Sequence, residues 1–332
     1  MILDAAVLAL TGGSLLACAT AVAAAGLGTH ILAHWDLRSG SDLQLRLERR
    51  TYLISTLLSY VMITQIVSLF LFVYNADRIH ELFVGVMCAA GSLNVNGFGY
   101  PALLLKLMNS ILCGLWLILN RTDQTSPDYP LLVPKYRLLR WIAASLTLEA
   151  LLQTSYFLNL RPHLITSCCG ALFGSDAQSL GGDLAGVPPE QAKVIFFVGL
   201  AFLVRAGIQV ILKSSGARVF SLVSGFLLVW SLVSVVSYIS VYFYELPTHH
   251  CPFCLLQAEY HHIGYVLYVP LLTGGICGLG VGLLDRYRGL TSLSERLPAI
   301  ERKLALVSLT GYLLFAVVSS YPMVFSDFRL NS

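Results

Sequence analysis

The chain has 332 residues, 56% of them hydrophobic and 12% charged, with a formal net charge of +3; its mean hydropathy is +0.74. A soluble domain carries about 25% charged residues, so this composition excludes an ordinary soluble globular protein. It points to an all-α polytopic membrane protein, a single integral domain over 1–332 whose first partner is the lipid bilayer. No basic, aromatic-interleaved face suggests nucleic acid, and Walker, Rossmann and Ser-His-Asp signatures are absent.

A membrane-crossing helix takes about 20 apolar residues. Eight runs meet that length, at roughly 5–33, 52–74, 102–120, 140–160, 192–212, 219–243, 263–284 and 304–323. The first has Asp4 and no basic residue ahead of it, so it reads as a retained helix rather than a cleaved signal. His30 and His34 at its far end read as interfacial side chains. After the second run, Val84–Pro101 is apolar yet rich in turn formers, with Gly85, Gly91, Gly97, Gly99, Asn94 and Asn96. This pattern predicts a segment folded back against the membrane. Lys106 lies one turn into the third run, where it can snorkel outward. Glu149 falls near the middle of the fourth run and Arg205 near the middle of the fifth. A charge at that depth is costly unless partnered, which predicts a Glu149–Arg205 ion pair. Gly174–Pro189 reads as an exposed loop, and 285–303 as a short polar surface helix.

Basic residues orient the runs, because Lys and Arg collect in loops on the cytoplasmic side. Fifteen of the 21 lie in one set of connections, among them Arg38, Arg46, Arg121, Lys135, Lys213, Arg218, Arg286 and Arg302. Only four, Arg78, Arg161, Lys193 and Arg329, lie in the other set. Both termini are therefore expected outside, in a bacterial inner (plasma) membrane with the connections at roughly 75–101, 161–191 and 244–262 facing the periplasm.

Those three outer connections hold the chemistry. They carry Cys88, the adjacent pair Cys168 and Cys169, and Cys251 and Cys254, with His80, His163, His249, His250, His261 and His262. Cys88, Cys168 and Cys251 are spaced 80 and 83 residues apart, so the chain reads as three helical hairpins flanked by a first and a last helix. If the seventh helix begins near Cys251, then Cys251, Cys254, Gln257 and His261 share one face. Thiolates there would also feel the positive end of the helix dipole.

Two chemistries fit thiols and imidazoles in this density. One is a metal centre for copper, zinc or iron, with Cys251, Cys254, His249, His250, His261, His262, Cys88, Cys168 and Cys169 as candidate ligands. It would serve metal binding or handling, with electron transfer as an extension. The other is thiol–disulfide exchange with Cys251 and Cys254 as the catalytic pair. In placing a C-x-x-C at the outer end of a membrane helix, the chain resembles the quinone-linked disulfide-generating membrane enzymes, the DsbB and vitamin K epoxide reductase classes. That resemblance implies a quinone near the seventh helix and a shuttle role for Cys88 or Cys168/Cys169. A third reading is a structural membrane subunit with stabilising disulfides. Partners under the active readings are other membrane or periplasmic proteins that handle metals or electrons.

Overall fold

A computed structural model describes residues 4–36, 41–161, 172–173 and 180–328. Among them the regular structure is entirely helical. The helices are α1 (Ala5–His34), α2 (Asp42–Arg78), α3 (Ala89–Leu93), α4 (Gly99–Asp123), α5 (Leu132–Leu158), α6 (Leu180–Ala185), α7 (Pro189–Lys213), α8 (Ala217–Ser234), α9 (Ser240–Tyr244), α10 (Ile263–Asp285) and α11 (Leu297–Phe325). A single π turn, Val235–Ile239, joins α8 to α9.

Seven helical spans among the described residues are long and apolar enough to cross a membrane: α1, α2 with its following turn, α4, α7, α8 through α9, α10 and α11. The chain is an all-α polytopic membrane protein. The remaining expected run, 140–160, overlaps α5, which is 27 residues long but is not among the seven. Length is no obstacle, since 27 residues span about 40 Å. Its polar content is the reason: Lys135, Arg137 and Arg140 open the helix, and Glu149 and Gln153 interrupt its second half.

The burial pattern suits a lipid solvent. Large apolar side chains face outward, Trp141, Leu212, Leu222 and Phe325 among them, while Glu149, Gln153, Ser224, Ser231 and Ser234 are buried. Lipid tails are as apolar as leucine, so helices in a bilayer associate through close packing and interior polar contacts.

The contacts divide the chain into two compact units. The first comprises residues 1–75, 96–160 and 287–297. Here α1 starts at Asp4, whose carboxylate accepts from the backbone N–H of Ala6 at 2.9 Å, a helix cap. It buries a stripe of mostly small residues, Ser14, Ala17, Ala21, Ala24 and Gly28, against α5. At Gly28 a Cβ would lie 2.3 Å from the Tyr136 ring, so only glycine permits this approach.

Two buried ion pairs tie the same unit together. Lys106 Nζ meets Glu149 Oε1 at 2.7 Å, each side chain 1% exposed. Asn109 Nδ2 donates to Glu149 Oε2 at 2.5 Å, and Lys106 also donates to Ser68 Oγ at 3.1 Å. The expected Glu149–Arg205 pair is therefore corrected: both carboxylate oxygens are engaged by α4, and Lys106 points inward to Glu149 rather than snorkelling. The spacing of Lys106 and Asn109, i and i+3 on one helix face, delivers both donors to the same carboxylate. In the second pair Lys135 Nζ sits 2.5 Å from Asp123 Oδ2, both fully buried. Lys135 counted as a loop cation by sequence, yet it occupies the first turn of α5. Asp123 also caps the turn into α5 by accepting from Leu131 N at 2.8 Å.

The second unit comprises residues 76–95, 161–286 and 298–332. In it α8 packs on both α7 and α10. A Cβ at Gly278 of α10 would lie 2.0 Å from Ser224 Oγ of α8, and Tyr312 of α11 donates to the Ser224 carbonyl at 2.6 Å. α5 belongs to the first unit and α7 to the second, and the polar side chains of α5 find partners on α1 and α4.

The Lys106–Glu149 pair makes a direct prediction. Removing one partner leaves a buried charge and should destabilise by about 3–5 kcal/mol, whereas Lys106→Met with Glu149→Met should recover most of that loss. Denaturant unfolding in detergent micelles measures this; single variants as stable as the parent would contradict the assigned pair.

Candidate metal centre

The second unit brings three thiols to one place. The Sγ atoms of Cys88, Cys251 and Cys254 all lie within 4.8 Å of one another. Cys88 Sγ and Cys251 Sγ are 3.5 Å apart, well beyond the roughly 2.05 Å of a disulfide. Cys88 and Cys251 are 0% exposed and Cys254 is 4% exposed.

Each segment is shaped by local chemistry. After α2 a single 3₁₀ turn, Ile79–Leu82, leads to Gly85, whose φ of 81° is the left-handed conformation that glycine adopts without strain. The chain reverses there and runs extended into Cys88, with φ −162° and ψ 179°, immediately before the one-turn-plus helix α3. Residues Cys88 to Leu93 are all buried. The Gly-rich segment thus folds back and carries Cys88 to the C-x-x-C pair.

The 251–262 segment departs from its sequence reading. α10 starts at Ile263, not near Cys251, and the segment holds two short 3₁₀ turns, Cys254–Leu256 and Ala258–Tyr260. Pro252 has no N–H to donate. Tyr244 Oη donates to the Cys251 carbonyl at 2.5 Å, and Tyr268 Oη donates to the Pro252 carbonyl at 2.7 Å. Two acceptors that would have continued a helix are taken by phenols. His261 and His262 are both left-handed, φ 54° and 55°, which resets the chain before α10. The shared helical face of Cys251, Cys254, Gln257 and His261 does not exist, and no helix dipole acts on these thiols through α10.

Gln257 joins the two thiol-bearing segments. Its Nε2 donates to the Met87 carbonyl at 3.0 Å and to Asp77 Oδ1 at 2.9 Å. The same Asp77 oxygen accepts from Ala89 N at 3.1 Å. Cys88 is thus gripped from both sides, at Met87 and at Ala89, by one amide–carboxylate pair. Gln257 also anchors its own loop, its carbonyl accepting from His262 N at 3.1 Å.

The histidines stand around the thiols but outside the converging group. His250 Nδ1 lies 3.0 Å from the Val236 carbonyl, an acceptor, so Nδ1 carries the proton. Val236 belongs to the π turn, whose i→i+5 pattern changes which carbonyls the helix itself uses. His262 Nδ1 lies 2.6 Å from the Leu256 carbonyl. His249 packs its ring on Tyr244 at 4.6 Å between centroids, and Tyr244 packs on Tyr260 at 4.5 Å. Burial, with Cys254 and Glu259 nearby, raises the Tyr260 hydroxyl above its ordinary pKa. His261 is exposed. Of the four imidazoles expected as ligands, His250 and His262 are placed as hydrogen-bonding groups and His249 as a packing group. Cys168 and Cys169 lie outside the described residues.

Asp77, Tyr244 and Tyr268 were not foreseen as site residues. Asp77 had a signal: an acid at the C-terminal end of the second helix, eleven residues before Cys88. The two tyrosines act through hydroxyls on backbone carbonyls, a contact with no spacing signature.

Chemically the set is thiolate-only. Three sulfurs at this spacing can close on one soft ion, and such ligands select copper(I) or zinc over hard cations. Among the described residues no carboxylate joins the group within ligand distance.

Replacing Gln257 by Leu removes both donated bonds while keeping approximate volume. Hydrogen bonds to charged groups contribute about 1.5–3 kcal/mol, so maleimide alkylation of Cys88 in membrane vesicles should accelerate about tenfold or more. An unchanged alkylation rate would show that something else holds the segments together. No family model, curated protein or solved structure matches the chain, so its own residues carry the functional reading.

Proposed function

We propose that this membrane protein binds and handles a soft metal ion, copper(I) or zinc, through Cys88, Cys251 and Cys254. The observation that carries this is the convergence of three buried sulfurs within 4.8 Å, drawn from segments 163 residues apart in the chain. Ligand thiols must lose their protons on binding, so affinity rises with pH and up to three protons leave per ion. The lopsided distribution of Lys and Arg supports a site facing the periplasm or cell exterior, in a bacterial inner membrane. Periplasmic metal- or electron-handling proteins are the natural partners for a site on that side.

The test uses full-length protein purified anaerobically, loaded with copper(I) or zinc, and washed with a weak chelator. One ion per chain is expected, lost in Cys88→Ser, Cys251→Ser and Cys254→Ser alike. Absence of stoichiometric metal from the parent protein would sink the proposal.

The 3.5 Å separation of Cys88 and Cys251 favours a second reading, thiol–disulfide exchange. In it the Cys88 thiolate attacks Cys251 of a Cys251–Cys254 disulfide. The Cys88–Cys251 bond forms as the Cys254 thiolate leaves. Forming the first disulfide removes two electrons and needs an acceptor such as a quinone. Acid-quenched alkylation of cells separates the readings: exchange predicts that the Cys251–Cys254 disulfide accumulates in Cys88→Ser, where the attacking thiol is gone, and permanently reduced thiols would rule it out.

A further inference from the structure

Arg205 is a charge within a membrane span that the cysteine site does not use. It is exposed on α7, and the ion pairs of the described residues engage other cations. It lies eight residues before Lys213, the last residue of α7, or about 12 Å inside the helix end. Arg205, Gln209 and Lys213 recur every four residues, so they form one stripe. That stripe lines a groove of about 580 Å³ whose opposite wall includes Leu313 of α11.

α11 runs antiparallel to α7 along this groove. Arg302 Nη2 donates to Ser214 Oγ at 3.0 Å near the end of α7, a Cβ on Gly207 would meet Leu309 at 2.7 Å, and the rings of Phe196 and Phe315 are 5.7 Å apart. Beyond Leu313 and Phe197, which line both spaces, a second groove of about 380 Å³ continues past Val317 to Phe325. Among the described residues no carboxylate lines either groove. The seam is cationic at one end and apolar for the rest of its length.

We infer that this seam binds an anionic phospholipid, its phosphate held by Arg205 and Lys213 with Gln209 as a further donor. One acyl chain lies between α7 and α11 towards Phe325. An arginine facing hydrocarbon is costly unless it meets water or a negative partner, and a lipid phosphate supplies that partner. Cations without a neighbouring acid select a headgroup of net negative charge. The apolar continuation calls for an acyl chain, which free phosphate lacks.

The test places the full-length protein in detergent with spin-labelled phosphatidylglycerol or phosphatidylcholine and reads the immobilised fraction of each. The parent should prefer phosphatidylglycerol, and that preference should fall about fivefold for each charge removed in Arg205→Gln and Lys213→Gln. Arg205→Lys should retain it. Equal immobilisation of the two lipids by the parent would identify ordinary surrounding lipid only and overturn the site, as would an unchanged preference in Arg205→Gln/Lys213→Gln. If Arg205→Gln fails to fold, Lys213→Gln at the exposed helix end decides alone, with the same fivefold fall expected and an unchanged preference overturning the site.

Discussion

The site depends on the side-chain amide of Gln257. Cys88 and the Cys251/Cys254 pair come from segments far apart in the chain, which must be held in register. Gln257 supplies that register by donating to the Met87 carbonyl and to Asp77, and Asp77 in turn accepts from Ala89. The grip falls on the residues either side of Cys88. A loop held this way keeps its thiol in place beside the other two sulfurs.

The surrounding helices impose the second constraint. In hydrocarbon an unmet backbone group costs several kcal/mol, so irregular segments such as 84–88 and 251–262 must satisfy their own polar atoms. They do so with side chains drawn from nearby helices, Tyr244 and Tyr268 on the carbonyls of Cys251 and Pro252; in return the His250 ring of the loop meets the Val236 carbonyl of the π turn. Residues that composition would mark as ligands or ring stacks thus serve the backbone. In the first unit the same economy appears as paired charge. Lys106 with Glu149, and Lys135 with Asp123, are buried and hydrogen-bonded on both members, a condition for a charge to persist in a low-dielectric interior.

Much of this was legible in the residues. Composition and run length identify an all-α membrane protein, and Gly85 and Gly91 in the 84–101 segment signal the fold-back that carries Cys88 inward. The C-x-x-C pair announces itself. What failed did so for physical reasons. The residues from Cys251 to His262 read as the start of α10, but Tyr244 and Tyr268 take the carbonyls of Cys251 and Pro252, so the helix waits until Ile263. The histidines were weighed by type, whereas their roles follow from which carbonyl each ring reaches. Glu149 was matched with Arg205 because the two lie at similar depth in consecutive runs; the decisive fact was the i, i+3 placement of Lys106 and Asn109 on a neighbouring helix. Small-residue stripes such as Ser14 to Gly28 were visible as composition but not as a partner choice.

The central claim is a thiolate-only metal site built from three cysteines. X-ray absorption at the metal edge of the zinc-loaded, full-length protein addresses it most directly, because zinc–sulfur and zinc–nitrogen distances differ, at about 2.3 Å and about 2.0–2.1 Å. Three sulfur neighbours are expected, and two in Cys88→Ser loaded with excess zinc and left unwashed. A shell dominated by nitrogen from the histidines, or a sulfur count unchanged by loss of Cys88, would contradict the account.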